Sequence, residues 1–472
     1  GNIQFDQNKV THVFNLTDSK TGRKLRTRFL SNHITDLSNL QDGIIRELVE
    51  MLDVEWDPEI EKSLTSGGTS MPGAFQLYLQ GLGFLRQETN IESINEAIEM
   101  FNQAIRQDDS YDEVYSSLGY AYLCAYKLTG EKSRLEKAEY FCTRSLEINK
   151  KLYTAHITLG LIHNEGGNHK DAIIDFQNAL DINPECFQAS LEIALTYFFD
   201  MDEKKKAEEA FKKAIAVRDE YWKGYKHLGY FYFRANRSSE AEKEFLRVID
   251  LNPADIWTYK VLFGIYNKRT DEISSQKARE IFEKSKQFGT DGEIYSNMGT
   301  NLFLQKQYAE ARNMYIKALE MGKNSPRLFM IWGNLADSYR LIKGDEAKAK
   351  TAYQEAIKLV QKKLTKNPDN ATMHSSLALY HSKSGEIGQA ILEITKAMEL
   401  DPSHIDVLQN SVVVFELSGQ RKKALLYFGE IIKRHGALGE LNRNPFLAEL
   451  RKDPEYLKLI TPESYSSMQE EK

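Results

Sequence analysis

Proline is scarce in this chain, at 10 of 472 residues. So few helix breakers exclude a loop-dominated or polyproline-rich architecture and leave room for long helices. Cysteine is scarcer still: Cys124, Cys142 and Cys186 fit neither a disulfide framework nor a zinc knuckle, and read as buried thiols. No apolar run approaches the roughly 18 residues that a membrane-spanning helix needs, and no signal-peptide pattern opens the chain. An excess of positive charge is missing too. Against 62 Lys and Arg stand 68 Asp and Glu, a formal −6, which excludes a general nucleic-acid binder. Catalytic signatures are absent: there is no GxxxxGK[ST], GxSxG, HExxH or EF-hand loop. The Gly-rich "LTSGGTSMPG" (Leu64–Gly73) lacks a strand-turn-helix context and reads as linker. "DMDEKKKAEEA" (Asp200–Ala210) reads as a charge run that caps and solvates a helix. The expectation is a chain that is not an enzyme and needs no cofactor or metal.

What is present is repetition, with 24 Tyr and 23 Phe distributed through it. From Gly160, offsets of 12, 16, 19 and 24 reach Ala172, Phe176, Ala179 and Pro184. The same offsets lead from Gly229 to Ala241, Phe245, Val248 and Pro253, and from Ala378 to Ala390, Ile394, Ala397 and Pro402. Gly299 and Val412 start the same series. Ala194 and Ala336 do so with one inserted residue, Phe263 with three, Gly81 with four and Gly119 with seven. Ten units result. Each reads as two amphipathic helices with apolar residues at i, i+3, i+4 and i+7. The small residues let the two backbones approach, the aromatic fills the gap between them, and the proline stops the second helix. No unit can bury its faces alone, so stacking supplies the core.

"LGLIHNEGGNHKDAIIDFQNALDINP", "LGYFYFRANRSSEAEKEFLRVIDLNP" and "LALYHSKSGEIGQAILEITKAMELDP" resemble the tetratricopeptide repeat family. The resemblance implies an all-α, α-α superhelical solenoid of about ten helix pairs over residues 74–436, with capping helices and a tail over 437–472. In the eighth unit "AIKLVQKKLTKNPDN" delays its proline to Pro368, seven residues beyond the common spacing. That second helix should overhang its neighbours by about 10 Å.

Within the first of these stretches, His163, Glu165 and His169 crowd a Gly-Gly turn. They have metal-ligand chemistry but no fourth ligand at plausible spacing. His163 sits three residues after Gly160, where other units place Tyr122, Tyr197 and Tyr232, so it reads as a core ring with a polar edge.

The start of the chain differs. "VTHVFNLTDSKTGRKLRTRFLS" alternates, turns at Asp18–Gly22 and alternates again, which reads as a β-hairpin. An amphipathic helix carrying Leu37, Leu40, Ile44, Leu48, Met51 and Leu52 should follow. Residues 1–56 thus read as a small α+β remnant, and 57–73 as a linker. An exposed strand edge invites pairing, so residues 1–34 should dock on a neighbouring element or form a homodimer. "NLTDSKTGRKL", "LSNLQDGIIRELVEML" and the later "LNRNPFLAELRKDPEYLKLI" resemble the C-terminal halves of bacterial serine/threonine protein kinases, and similar halves of class III cyclases and winged-helix regulators. The chain contains no kinase loop or catalytic Asp motif, so the resemblance implies an associated interaction module rather than kinase activity. It would be soluble, cytoplasmic or the extracytoplasmic part of a membrane-anchored parent. The alternative is a regulatory fragment of a kinase or cyclase whose catalytic domain lies upstream.

Function is expected on the concave face, which first helices line at −6, −3, +1, +4 and +5 from each small residue. In the units at Gly229 and Phe263 these positions hold Lys223, Lys226, Tyr230, Phe233 and Arg234, then Trp257, Lys260, Gly264, Asn267 and Lys268. The candidates include five bases and three aromatics but no acid. Asn297, Asn334 and Arg340 extend the set; an inward Asn can pair both donor and acceptor with an extended backbone. The family's carboxylate-clamp pattern is incomplete, with Lys226 in its style but Tyr230 where Asn is expected. The partner read from these residues is an extended protein or peptide segment, acidic in character, because clustered like charges repel until a carboxylate relieves them.

Overall fold

The computed structural model describes residues 2–6, 9–17, 24–33, 69, 71–269, 271–323, 325–434 and 438–460. They fall into two compact units, residues 1–231 and 232–472. Among the described residues no helix is long and apolar enough to cross a membrane.

The chain starts with an antiparallel three-stranded sheet, β1 (Asn2–Asp6), β2 (Lys9–Thr17) and β3 (Lys24–His33), in the order β1-β2-β3. The expected hairpin is β2–β3, with Val13 opposite Phe29 and a hydrogen bond of 2.9 Å from Thr27 Oγ1 to Asn15 Oδ1. β1 was not expected, and it takes the free edge of β2 from within the chain. The helix expected over residues 37–52 lies outside the described residues.

Among the described residues twenty helices then alternate. The first helices are α1 (Pro72–Leu85), α3 (Asp112–Thr129), α5 (Tyr153–Glu165), α7 (Phe187–Leu195) and α9 (Trp222–Arg234), then α11 (Ile256–Lys268), α13 (Gly292–Leu304), α15 (Leu328–Arg340), α17 (Ala371–Ser384) and α19 (Ile405–Leu417). The second helices are α2 (Ile91–Gln107), α4 (Lys132–Ile148), α6 (His169–Ile182), α8 (Lys204–Val217) and α10 (Ser238–Leu251), then α12 (Glu272–Phe288), α14 (Tyr308–Met321), α16 (Glu346–Leu364), α18 (Ile387–Leu400) and α20 (Arg421–Lys433). Among the described residues the repeat array is all-α and has ten pairs, as the spacing requires.

Close approach at the small residues sets the register. A Cβ added to Gly160 would lie 2.5 Å from the Phe176 ring, one on Gly81 2.4 Å from Phe101, and one on Gly299 2.8 Å from Tyr315. Phe101, Phe176 and Tyr315 are fully buried or nearly so. From this anchor most second helices run to the same stop, three residues past the second small residue: Ala104 to Gln107, Ala179 to Ile182, Ala397 to Leu400.

The insertions are absorbed locally. Where three, four or seven residues are added, the second helix starts six residues before its first Ala instead of three, as at Lys132 and Ala138. The single residue added after Ala194 is taken up by a π-helical turn, Thr196–Asp200, in which Met201 N–H donates to the Thr196 carbonyl at 3.1 Å. α16 ends at Leu364, eight residues past Ala356. It therefore overhangs the common stop by five residues, about 7–8 Å. Beyond Leu364 helical hydrogen bonds still run on, Thr365 N–H donating to the Gln361 carbonyl at 3.0 Å and Asn367 N–H to that of Lys363 at 3.1 Å, until Pro368 offers no N–H.

Two glycines separate packing from propensity. Gly160→Val should cost about 1–3 kcal/mol or more, because the ring it meets has nowhere to move. Gly388, helical, exposed and with nothing within 4 Å of its would-be Cβ, should gain about 0.5–1 kcal/mol as Ala. Denaturant melts followed by circular dichroism distinguish the two directions.

Candidate functional site

The Gly-Gly turn disperses its three ligand-type side chains. His163 Nδ1 lies 2.6 Å from Asp175 Oδ2 on α6, Glu165 pairs with Lys127 at 2.9 Å, and His169 Nδ1 is 3.3 Å from Asn164 Oδ1. His381, in the equivalent position to His163, is buried and 2.5 Å from Glu386. Among the described residues no group of three His, Cys, Asp or Glu is placed to hold a metal.

The expected groove residues divide between the two units. In the first, Lys223 Nζ lies over the Tyr221 and Trp222 rings at 5.7 and 6.0 Å, and Lys226 over Trp222 at 5.2 Å. Tyr230 packs on Phe198 and Phe199, with centroids at 6.5 and 6.3 Å. None of the three lines a cavity described in this unit. The cavity lies further back, about 540 Å³, between α1, α3 and α5. Its lining follows the offset rule in the units at Gly81, Gly119 and Gly160: Tyr78, Leu82 and Arg86, then Glu113, Ser116 and Tyr120, then Thr154, Ile157 and Leu161. Glu113 Oε2 is buried with no hydrogen-bond partner. Burial pushes its carboxyl up to about 8, and the adjacent Asp112 carboxylate acts in the same direction.

In the second unit, the idea of an unpartnered basic cluster needs correction at Lys260. Its ammonium is 2.6 Å from Asp291 and 2.8 Å from Glu293, carboxylates at the start of α13. Trp257 packs edge-on to Phe245 at 5.8 Å, Lys268 lies over Phe233 at 5.4 Å, and Arg234 is exposed. Asn267 is also engaged: its Nδ2 donates to the Asn297 carbonyl at 3.1 Å and its Oδ1 accepts from Asn301 at 2.8 Å. Its amide is therefore not the open backbone clamp expected.

A cavity of about 420 Å³ nevertheless brings four of the expected residues together: Asn267 and Lys268 from α11, Asn297 from α13 and Asn334 from α15. The amides of Asn297 and Asn334 make no side-chain hydrogen bond among the described residues. Both acids of the lining are already paired, Glu293 with Lys260 and Asp337 with Lys383 at 2.6 Å. Lys268 and Arg327, also in the lining, form no ion pair among the described residues. The cavity therefore presents positive charge.

Its remaining wall was not foreseen. Beyond α20 the chain forms α21 (Gly439–Arg443), two short 3-10 turns and α22 (Pro454–Leu459). Leu441, Leu447, Leu450 and Tyr456 seal the core of the last repeat. Between them the segment reaches across the first helices. Arg443 donates to the carbonyls of Asn267 and Arg269 at the C-terminus of α11, where a cation also meets the negative end of the helix dipole. Asn444, Pro445 and Phe446 close the cavity. Phe446 lies under the Lys383 ammonium at 4.7 Å and the Arg340 guanidinium at 5.2 Å. Arg340 also donates to the Lys383 carbonyl, and the Tyr353 hydroxyl to Asp337. Arg340 thus holds the strap rather than an open groove.

Models of the tetratricopeptide repeat match residues 153–186, 194–256 and 290–362, so the chain carries tetratricopeptide repeats. The type IV pilus assembly protein PilF of Pseudomonas aeruginosa is 26% identical over 185 residues, 39% of this chain and 72% of that protein. The human protein O-mannosyl-transferase TMTC3 is 23% identical over 66% of this chain, but the match spans only 31% of the transferase. Among solved structures, yeast Tom70 covers 84% of this chain and 96% of its own at 16% identity and a TM-score of 0.36. A repeat protein from Parabacteroides merdae covers 56% and 98% at 20% identity and a TM-score of 0.34. None of these relatives is named as a kinase or a cyclase.

Two stability measurements follow from these environments. Asp337→Ala strands the buried Lys383 ammonium and should cost about 3–5 kcal/mol. Adding Lys383→Met and Tyr353→Phe should recover most of that in urea melts. Glu113→Gln should stabilise the fold, since a carboxyl held up to about 8 favours its protonated form when folded. An unfolded Glu titrates near its ordinary value, so ionisation pulls against folding increasingly from pH 5 to pH 8. The gain from Gln should grow across that window and level off above it.

Proposed function

We propose that this tetratricopeptide-repeat chain is a non-catalytic array that binds an extended protein segment along its first helices, as the sensory or regulatory part of a bacterial signalling protein. The contact residues proposed all lie in the second unit's cavity: Lys268, Asn297 and Asn334, with Arg327 beside them. The observation that carries the reading is the 420 Å³ cavity of the second unit. Repeat side chains form most of it, and a stretch of this chain's own backbone, Asn444–Phe446, already lies against it. Two open amides, Asn297 and Asn334, suit a second stretch of main chain. Lys268 and Arg327 favour one carrying carboxylates. The signalling role is supported by the resemblance of the N-terminal and C-terminal stretches to kinase-associated halves. The same resemblance supports a second reading, a regulatory fragment of an enzyme, which the coding sequence upstream of residue 1 decides. A homodimer would pair along the outer edge of β3 and double the mass measured by light scattering.

Affinity capture with the chain and with Lys268→Glu/Arg327→Glu, quantified by mass spectrometry, tests the array. Proteins bearing acidic segments should be lost about tenfold or more from the variant, with circular dichroism unchanged. Their capture by the parent chain should fall as salt rises from 0.05 to about 0.5 M, as exposed charges are screened. An identical set of captured proteins from both would overturn this assignment of the site.

A further inference from the structure

We infer that the cavity of the first unit is a second binding site, which takes a lysine or arginine side chain of a basic peptide segment, with Glu113 as the carboxylate that receives the cation. The inference rests on reading the chain as an interaction array, but it uses different residues and the opposite charge.

The cavity is built rather than incidental. Three successive first helices contribute to it from the same offset positions, and Gln188 of α7 closes one end. Its walls are mixed: Leu82 and Leu85 on α1 and Ile157 and Leu161 on α5 give aliphatic stretches between hydroxyl-bearing Ser, Thr and Tyr side chains. A volume of about 540 Å³ exceeds one side chain and suits a short segment. Into this space α3 directs a carboxyl whose Oε2 is buried without a hydrogen-bond partner. Burying such a group is costly unless it is protonated or paired. Within the chain no cation pairs it: Glu113 forms no ion pair among the described residues, and its charged neighbour is the Asp112 carboxylate, of like sign. The one cation in the lining, Arg86, forms none either.

A second carboxylate, Glu88, accepts from the Tyr120 hydroxyl at 3.1 Å at the same cavity. Glu88 shares the lining with the single guanidinium of Arg86, whereas Glu113, protonated when unpaired, becomes a carboxylate once a second cation arrives. An incoming ammonium or guanidinium is that cation, and its aliphatic stem lies along the leucine walls. Burial also pushes the Glu113 carboxyl up to about 8, the state expected of an acid awaiting a counter-charge.

The test uses the full chain and a displayed library of random twelve-residue peptides. Peptides enriched on the parent chain should carry Lys or Arg flanked by aliphatic residues. Synthesised singly, they should lose about ten- to hundredfold in affinity for Glu113→Gln, the range of a hydrogen bond to a charged group. Leu82, exposed at the cavity, allows a second variant that spares the core. Leu82→Lys introduces an internal ammonium and should weaken the same peptides without altering the melt. No enrichment, enrichment of acidic peptides, or binding indifferent to both variants would each overturn the inference. Retained dependence of captured partners on Lys268 and Arg327 in that case would leave the array reading standing.

Discussion

The close approach of the two helices of a repeat, tightest where a glycine faces an aromatic ring, is the contact on which the array depends. Where Gly160 faces Phe176, or Gly81 faces Phe101, the two helices of a repeat come as close as a missing side chain allows. Each ring then fills the space that the absent Cβ leaves, and dispersion between them is gained without strain. Because the contact fixes both separation and register, the rest of the unit follows from it. Insertions are pushed outward into an extra turn, a π-turn or a longer loop, and the contact itself stays where it is. The positions that first helices turn toward the cavities are therefore set from the same origin.

That origin is why the fold was legible in the sequence. A repeat of small residue, Ala, ring and Ala states a distance, and the distance implies the helix pair. The same offsets locate the lining of both cavities, even where the residues first favoured are not in them. What the sequence conceals is which charges are already used. Lys260 looked unopposed because its own helix has no acid beside it; Asp291 and Glu293 lie on the next first helix, some thirty residues on. An acid at −6 answering a lysine at −3 one repeat earlier is the signal that would have found this pair. Glu113, at −6 from Gly119, could have been found by the same rule. β1 was hidden by its length, since "NIQFD" offers only Ile3 and Phe5 to alternate. The strap was hidden by distance, because Arg443 meets partners 174 and 176 residues away and local periodicity carries no trace of that.

Electrostatics within the repeats thus separates into spent and unspent charge. Asp337, Lys383 and Tyr353 form a buried set whose partners are complete, and its value lies in holding Lys383 over Phe446. Such a set adds little net stability, but removing one member exposes the desolvation cost of the others. Lys268, Arg327 and Glu113 are unspent. They lie in cavities of opposite sign, one in each compact unit, so the chemistry offered to a partner differs between them while the helical frame does not.

The strap from the last repeat to α11 has a consequence for how such a chain changes over generations. Repeat arrays ordinarily lengthen or shorten by duplication or loss of whole units, because each unit touches only its neighbours. Here the C-terminal segment measures a span: Arg443 must reach the end of α11 while Leu441 and Leu447 stay in the core of the last repeat. Adding or deleting one helix pair between them would move the carbonyls of Asn267 and Arg269 out of reach. From α11 onward, the copy number is counted by the molecule itself.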